Sequence, residues 1–314
     1  MKIEHLTGLI AAPFTPMDSS GMLNLPIIPK YYEMLKSNGV KGAFICGSTG
    51  EGVSMTLQEK MKVAEAWAAC TKNDKDFKVM AFASGTSVHE CIEIAKHAGD
   101  QGLYGVSITG PFYFKPPTVD ALAEICEMVA AQVPHLPFYY YHIPVLTGVN
   151  FQMYDLLKKL HGHVPNFAGV KFTHEDFMDY LSCINFENRK YDMLWGRDET
   201  FLSALILGAK GAVGSTFNYA APLYHDLIKA YNEGDFELAR AKQQQSIDMI
   251  RLLGKYGGIA TGKAYMKMIG LDCGEFRLPV KNMTAEKFEL FKKDVEKVNF
   301  KNFCSRLSAP ANVK

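Results

Sequence analysis

Short apolar runs recur along this chain with unusual regularity, each followed by a stretch of helical periodicity. They fall at residues 8–13, 42–46, 79–83, 105–109, 137–141, 167–173, 193–195 and 211–215. The runs are apolar throughout rather than alternating, which is the mark of strands buried on both faces, as in a parallel sheet. Helical patterns occupy 27–38, 56–72, 87–99, 119–131, 151–160, 176–184, 200–207 and 223–231, with further ones at 236–253 and 285–298. Thr56 with Glu59 and Ser87 with Glu90 have the spacing of capping boxes, which fixes two of the helix starts. Strand–helix repetition of this kind builds parallel βαβ units. An open doubly wound sheet would ordinarily carry a Gly-x-Gly-x-x-Gly turn after its first strand, and none follows residues 8–13. The expectation is therefore an α/β fold, a (β/α)8 TIM barrel with a C-terminal helical extension. Residues 1–220 would form the barrel, 221–304 the final barrel helix and the extension, and 305–314 a frayed tail.

Charge and cysteine usage exclude several classes. Lys and Arg number 34 against 33 Asp and Glu, so no cationic excess exists to grip nucleic acid. The seven cysteines are odd in number, irregularly spaced and without a C-x-x-C pair, which suits neither a disulfide framework nor a zinc site. They read as small buried hydrophobes in a reducing compartment. The first apolar run is broken at Pro13, too soon for a signal peptide, and no stretch nears the ~20 apolar residues of a membrane span. A cytoplasmic protein without a membrane or nucleic-acid partner is expected.

In such barrels the reacting groups stand at the C-terminal strand ends and in the loops that follow. The sixth run, Phe167-Ala168-Gly169-Val170-Lys171-Phe172-Thr173, places a lysine in an apolar strand. Removal from water lowers an amine's pKa, and the neutral amine is a nucleophile that can form a Schiff base with a ketone or aldehyde. Alternatively, Lys171 extends its ammonium from a strand end into solvent. Gly47-Ser48-Thr49-Gly50-Glu51-Gly52, after the second run, reads as a nest for a carboxylate or phosphate, or as a plain tight turn before a helix. In Tyr139-Tyr140-Tyr141-His142, alternation turns Tyr139 and Tyr141 the same way, so either phenol could shuttle a proton inside the barrel or simply pack there. His142 turns to the other side. Thr173 shares the facing of Lys171. Gly196-Arg197-Asp198-Glu199 brings two carboxylates to the mouth, to hold a metal, to act as acid and base, to accept hydrogen bonds from hydroxyls, or merely to favour a helix N-terminus. Too few hard ligands stand nearby for a metal. The Gly214-Ser215-Thr216 loop could cradle a phosphate, or Ser215 could bind a polyol.

Taken together, Gly47-Ser-Thr-Gly-Glu, Tyr141-His-Ile-Pro, Gly169-Val-Lys-Phe-Thr, Gly196-Arg-Asp-Glu and Gly214-Ser-Thr-Phe-Asn resemble the dihydrodipicolinate synthase/N-acetylneuraminate lyase superfamily over residues 6–279. The resemblance implies a class I aldolase on a (β/α)8 barrel, a homotetramer that uses no metal or organic cofactor. By resemblance, Lys171 forms the Schiff base with pyruvate and Tyr141 moves the proton at the sugar C4 oxygen. Ser48 and Thr49 hold the α-keto carboxylate, and Thr173, Gly196, Asp198, Glu199 and Ser215 bind the hydroxyl chain. Tyr113 reaches into a neighbouring subunit's site. Dihydrodipicolinate synthases carry an arginine in the loop that here reads Val145-Leu146-Thr147-Gly148, and Leu146 cannot grip a second carboxylate. That points to the branch that reversibly cleaves N-acetylneuraminate, a sialic acid, to N-acetylmannosamine and pyruvate. Another 2-keto-3-deoxy sugar acid, or a non-catalytic sugar-acid sensor, is the alternative.

Overall fold

Eight parallel strands close into a barrel in sequence order, in a computed structural model that describes residues 2–83 and 85–307. The strands are β1 (Gly8–Ala11), β2 (Gly42–Ile45), β3 (Lys78–Phe82), β4 (Gly105–Ile108), β5 (Phe138–His142), β6 (Phe167–Phe172), β7 (Asp192–Trp195) and β8 (Gly211–Gly214). Closure is made by β1 against β8, with Gly8 opposite Gly211 and Ala11 opposite Gly214. Each strand lies within two residues of its expected bounds, because a run buried on both faces has no polar alternation to blur its ends.

The outer ring is α1 (Ile28–Ser37), α2 (Leu57–Thr71), α3 (Val88–Asp100), α4 (Val119–Ala130), α5 (Met153–Leu160), α6 (Phe177–Asn185), α7 (Phe201–Leu207) and α8 (Phe217–Asn232). The Thr56–Glu59 capping box is complete in both directions. At Ser87 the hydroxyl accepts from the Glu90 N–H at 3.3 Å, which satisfies one of the helix's free N–H groups. α8 starts six residues before the expected 223, with a kink at Ala220 just ahead of Pro222, whose ring cannot continue a regular helix.

The extension consists of α9 (Phe236–Tyr256), α10 (Thr261–Met268) and α11 (Ala285–Lys297). Nothing in the periodicity marked α10, which buries Gly262 and Lys263 where an amphipathic pattern would place large apolar residues. Phe14 explains Gly262: a Cβ there would stand 2.3 Å from the phenyl ring. Of the expected frayed tail, Ser305 is buried and accepts the Ala221 N–H at 3.1 Å, and Arg306 N–H donates to Asn38 at 3.0 Å. Residues 308–314 lie outside the described residues.

Two apolar layers separate along the alternation of the strands. Inside the barrel are Ile10, Phe44, Met80, Phe82, Tyr139, Tyr141, Ala168, Leu194 and Val213, and the much larger layer lies between strands and helices. The amino-terminal end of the barrel is plugged: the buried Asp192 carboxylate accepts from Tyr139 Oη at 3.0 Å and from the Leu6 N–H at 3.2 Å. The other end is the mouth. No described helix is long and apolar enough to cross a membrane.

Candidate active site

Lys171 is the next-to-last residue of β6 and faces into the barrel, 3% exposed. Its Nζ lies 3.9 Å from the ring centre of Phe44 and 3.9 Å from that of Tyr141. Burial among these rings draws the amine down to about 7, against an opposing pull from the Asp198 carboxylate. A lysine extended into solvent could not show this burial, so the nucleophilic reading of the strand is the one the packing supports. β5 sets the neighbour: Tyr141 stands opposite Lys171 in the β5–β6 register.

Tyr141 packs edge-on against Phe44 and Phe82, with ring centres 5.4 and 5.2 Å away. Burial raises its phenol to about 12, and the nearby Ser48 and Thr173 hydroxyls pull it partly back. Tyr139 also faces inward, but at the plugged end beside Asp192. Alternation thus admitted both tyrosines, and height along the strand separates them. His142 turns outward, as alternation required, and is fully buried against Phe172 and His174.

Ser48 and Thr49 follow β2 on a turn whose interior is closely packed. Gly52 N–H returns to Gly47 O at 3.1 Å, Thr15 Oγ1 donates to Gly50 O at 2.6 Å, and a Cβ on Gly50 would meet Pro13 O and Cys46 N at 3.1 Å. Glu51 takes φ +59°, the left-handed region that favours glycine.

Asp198 is buried at the start of a short turn after β7, and its carboxylate accepts from Thr216 twice, from N–H at 2.9 Å and from Oγ1 at 2.6 Å. Burial pushes this carboxyl up to about 7. A Cβ on Gly214 would sit 2.2 Å from Asp198 Oδ1. The β8 loop is therefore filled by the chain's own carboxylate, and the phosphate-cradle reading of Gly214-Ser215-Thr216 does not hold. Ser215 stands half-buried beside it. Gly196 is required in the same way: a Cβ there would lie 1.9 Å from Thr173 Oγ1. That hydroxyl is buried without completing a hydrogen bond to another described residue.

Glu199 is not alone at the rim. Arg197 Nη2 bridges it at 2.8 Å to Glu175, also at 2.8 Å. Arg197 thus ties two carboxylates together, and Glu175 escaped the motif reading because it lies in a different loop. Phe44 was missed, and Thr216 read as a phosphate ligand rather than the partner of Asp198, for a related reason, since each acts through a neighbour distant in sequence. Tyr113 stands apart from the cluster, 76% exposed and edge-on to the still more exposed Phe114.

Lys171, Tyr141, Ser48, Thr49, Thr173, Gly196, Asp198, Glu199 and Ser215 therefore share one barrel mouth. Chemically it offers a buried amine lowered to about 7 among aromatic rings, a phenol beside it, a hydroxyl-rich turn, and acceptors along one wall.

The chain matches the model of the Dihydrodipicolinate synthetase family over residues 5–298. It is similar to an N-acetylneuraminate lyase of Rattus norvegicus, 38% identical over 304 residues that cover 96% of this chain and 95% of that protein. Among solved structures, an N-acetylneuraminate lyase of Proteus mirabilis superposes with a TM-score of 0.91 at 37% identity, covering 95% of this chain and 100% of that one. A sialic acid aldolase of Aliivibrio salmonicida gives a TM-score of 0.91 at 37% identity over 95% of this chain and 98% of its own.

Proposed function

Because this chain belongs to the Dihydrodipicolinate synthetase family, we propose that it is a class I aldolase that reversibly cleaves N-acetylneuraminate to N-acetylmannosamine and pyruvate. The observation that carries the reading is the buried amine of Lys171 between the Phe44 and Tyr141 rings, lowered to about 7 at a mouth lined with hydroxyls.

Lys171 Nζ adds to the C2 ketone of the open-chain sugar acid, and loss of water gives an iminium. The C4 hydroxyl gives up its proton to Tyr141 while the phenol passes its own to the substrate carboxylate, since a phenol raised to about 12 is protonated at neutral pH. The C3–C4 electron pair flows into the iminium as the bond breaks, leaving an enamine and the aldehyde N-acetylmannosamine. Protonation of the enamine at C3 and addition of water then release pyruvate and restore the amine. Ser48 and Thr49 hold the carboxylate in this scheme, and Thr173, Gly196, Asp198, Glu199 and Ser215 receive the hydroxyl chain. The iminium is formed on the chain's own lysine, so the scheme calls for neither metal nor organic cofactor. We assign the protein to cytoplasmic sialic acid degradation and to a homotetramer in which Tyr113 meets a neighbouring subunit.

Borohydride reduction with pyruvate, followed by peptide mass spectrometry, tests the reading. A stable adduct on Lys171 is expected. No adduct, or one on another lysine, would overturn it.

A further inference from the structure

The extension bears directly on the turn that carries Ser48 and Thr49. Two residues past Thr49, Glu51 places its carboxylate in the contact with α10. Glu51 Oε1 meets Lys263 Nζ at 2.7 Å, with both side chains only 2% exposed. Glu51 Oε2 accepts the Arg277 N–H at 2.8 Å. Lys263 Nζ also donates to Glu275 O at 2.8 Å and lies 4.8 Å from the Phe276 ring centre. A second strap runs alongside: Arg277 Nη1 reaches Glu59 Oε2 at 2.9 Å, at the start of α2.

A buried ion pair gives little net stability over apolar residues of the same size, because desolvation offsets the attraction. Its distinctive property is direction, since each charge must meet its partner in one place. Glu51 is held in the left-handed region while its carboxylate is held by two groups, Lys263 Nζ from α10 and the Arg277 N–H from the segment after it. The turn is thus clamped from one side by the extension and from the other by Thr15, whose hydroxyl holds Gly50 O.

We propose that the buried Glu51–Lys263 pair is a positioning brace through which the C-terminal extension holds Ser48 and Thr49 in register for the pyruvate carboxylate. The inference rests on the aldolase reading above, and neither residue touches substrate. Misplacement of a binding group by about 1 Å costs roughly 100-fold, so slackening the brace should cost roughly 10- to 100-fold in pyruvate half-saturation. The aldehyde's binding wall is assigned to the loops after β6, β7 and β8 instead, so half-saturation by N-acetylmannosamine should stay nearly fixed.

The test uses the full chain with Glu51→Gln and Lys263→Met together, which leaves no buried charge unpaired. Expected is a folded protein that still traps pyruvate on Lys171 at saturation, with pyruvate half-saturation raised roughly 10- to 100-fold and kcat changed far less. Unchanged pyruvate half-saturation, or an equal shift for N-acetylmannosamine, would overturn the brace. Should the double variant fail to fold, Glu51→Asp keeps both charges and shortens the brace by one methylene. The same selective rise is expected, and an unchanged value overturns the proposal. If the unaltered chain traps no pyruvate, the aldolase reading itself fails, and the brace with it.

Discussion

Lys171 and Tyr141 stand opposite each other on neighbouring strands, with the lysine nitrogen 3.9 Å from the centre of the tyrosine ring. Side chains paired across parallel strands cannot drift apart without breaking the sheet between them. The proposed nucleophile and the phenol are therefore set by the barrel's register, whereas the groups proposed to grip the rest of the substrate stand on loops.

Replacing Lys171 by Met retains length and removes the amine. Turnover should fall by on the order of 10⁴-fold or to background, and no pyruvate should be trapped. Thermal unfolding should stay level or move upward, since a buried amine among aromatic rings contributes little to folding. Residual activity within 100-fold of the unaltered chain would sink the Schiff-base chemistry.

Trapping by pyruvate should depend on pH with an acidic limb near 7, because Lys171 reacts only as the free amine. Asp198, also raised to about 7, titrates with it as a pair. Its negative charge holds the lysine's value up, so Asp198→Asn should move the limb to lower pH. The same variant should weaken use of the sugar more than trapping of pyruvate. A limb that moves to higher pH would disprove the coupling.

Gly196→Ala forces a methyl group to within 1.9 Å of Thr173 Oγ1, so one of the two must move. Destabilisation of about 1–3 kcal/mol is expected from overpacking, with sugar turnover lost before pyruvate trapping. Denaturant unfolding and the two assays together check this, and a variant equal to the parent in all three would refute the packing argument.

His142 bears on acid stability. Burial, with a smaller push from His174, lowers its ring to about 3, and neither nitrogen has a hydrogen-bond partner among the described residues. The unfolded ring gains a proton below 6.5 while the folded one stays neutral, so stability falls as pH drops from 6.5 toward 3. At one pKa unit per about 1.4 kcal/mol, the change from pH 8 to pH 5 amounts to about 2 kcal/mol. Unfolding of His142→Gln at the two pH values should show that much less acid sensitivity.

Tyr113 and Phe114 expose large aromatic faces side by side. Light scattering should give four times the mass of one chain, and Tyr113→Asp should lower it. A monomer under both conditions would leave the exposed pair without the proposed neighbour.

The strands were legible because a run buried on both faces has a simple signature, and Lys171 stood out as the charge that breaks it. Alternation alone separated His142 from Tyr141. Other parts depended on neighbours far along the chain. Nothing in Gly214-Ser215-Thr216 shows that the Asp198 carboxylate occupies the space a phosphate would need, and nothing near Lys171 foretells the Phe44 ring. Nothing around Arg197 in the chain shows that Glu175, from another loop, shares it with Glu199. α10 was hidden because its buried lysine makes sense only with Glu51 in place.

The buried contacts of Tyr139, Asp192 and Leu6 fill the amino-terminal end, so that among the described residues the barrel is a well entered from its mouth. Lys171 lies within a strand, below the loops that carry Asp198, Glu199 and Ser215. Traffic through such a well is last in, first out. In the proposed cleavage the aldehyde leaves while the three-carbon fragment is still attached below it. In synthesis, pyruvate must arrive first, because an aldehyde seated above would bar its way. Product inhibition should show that order: pyruvate should compete with N-acetylneuraminate for the empty well, and N-acetylmannosamine should not.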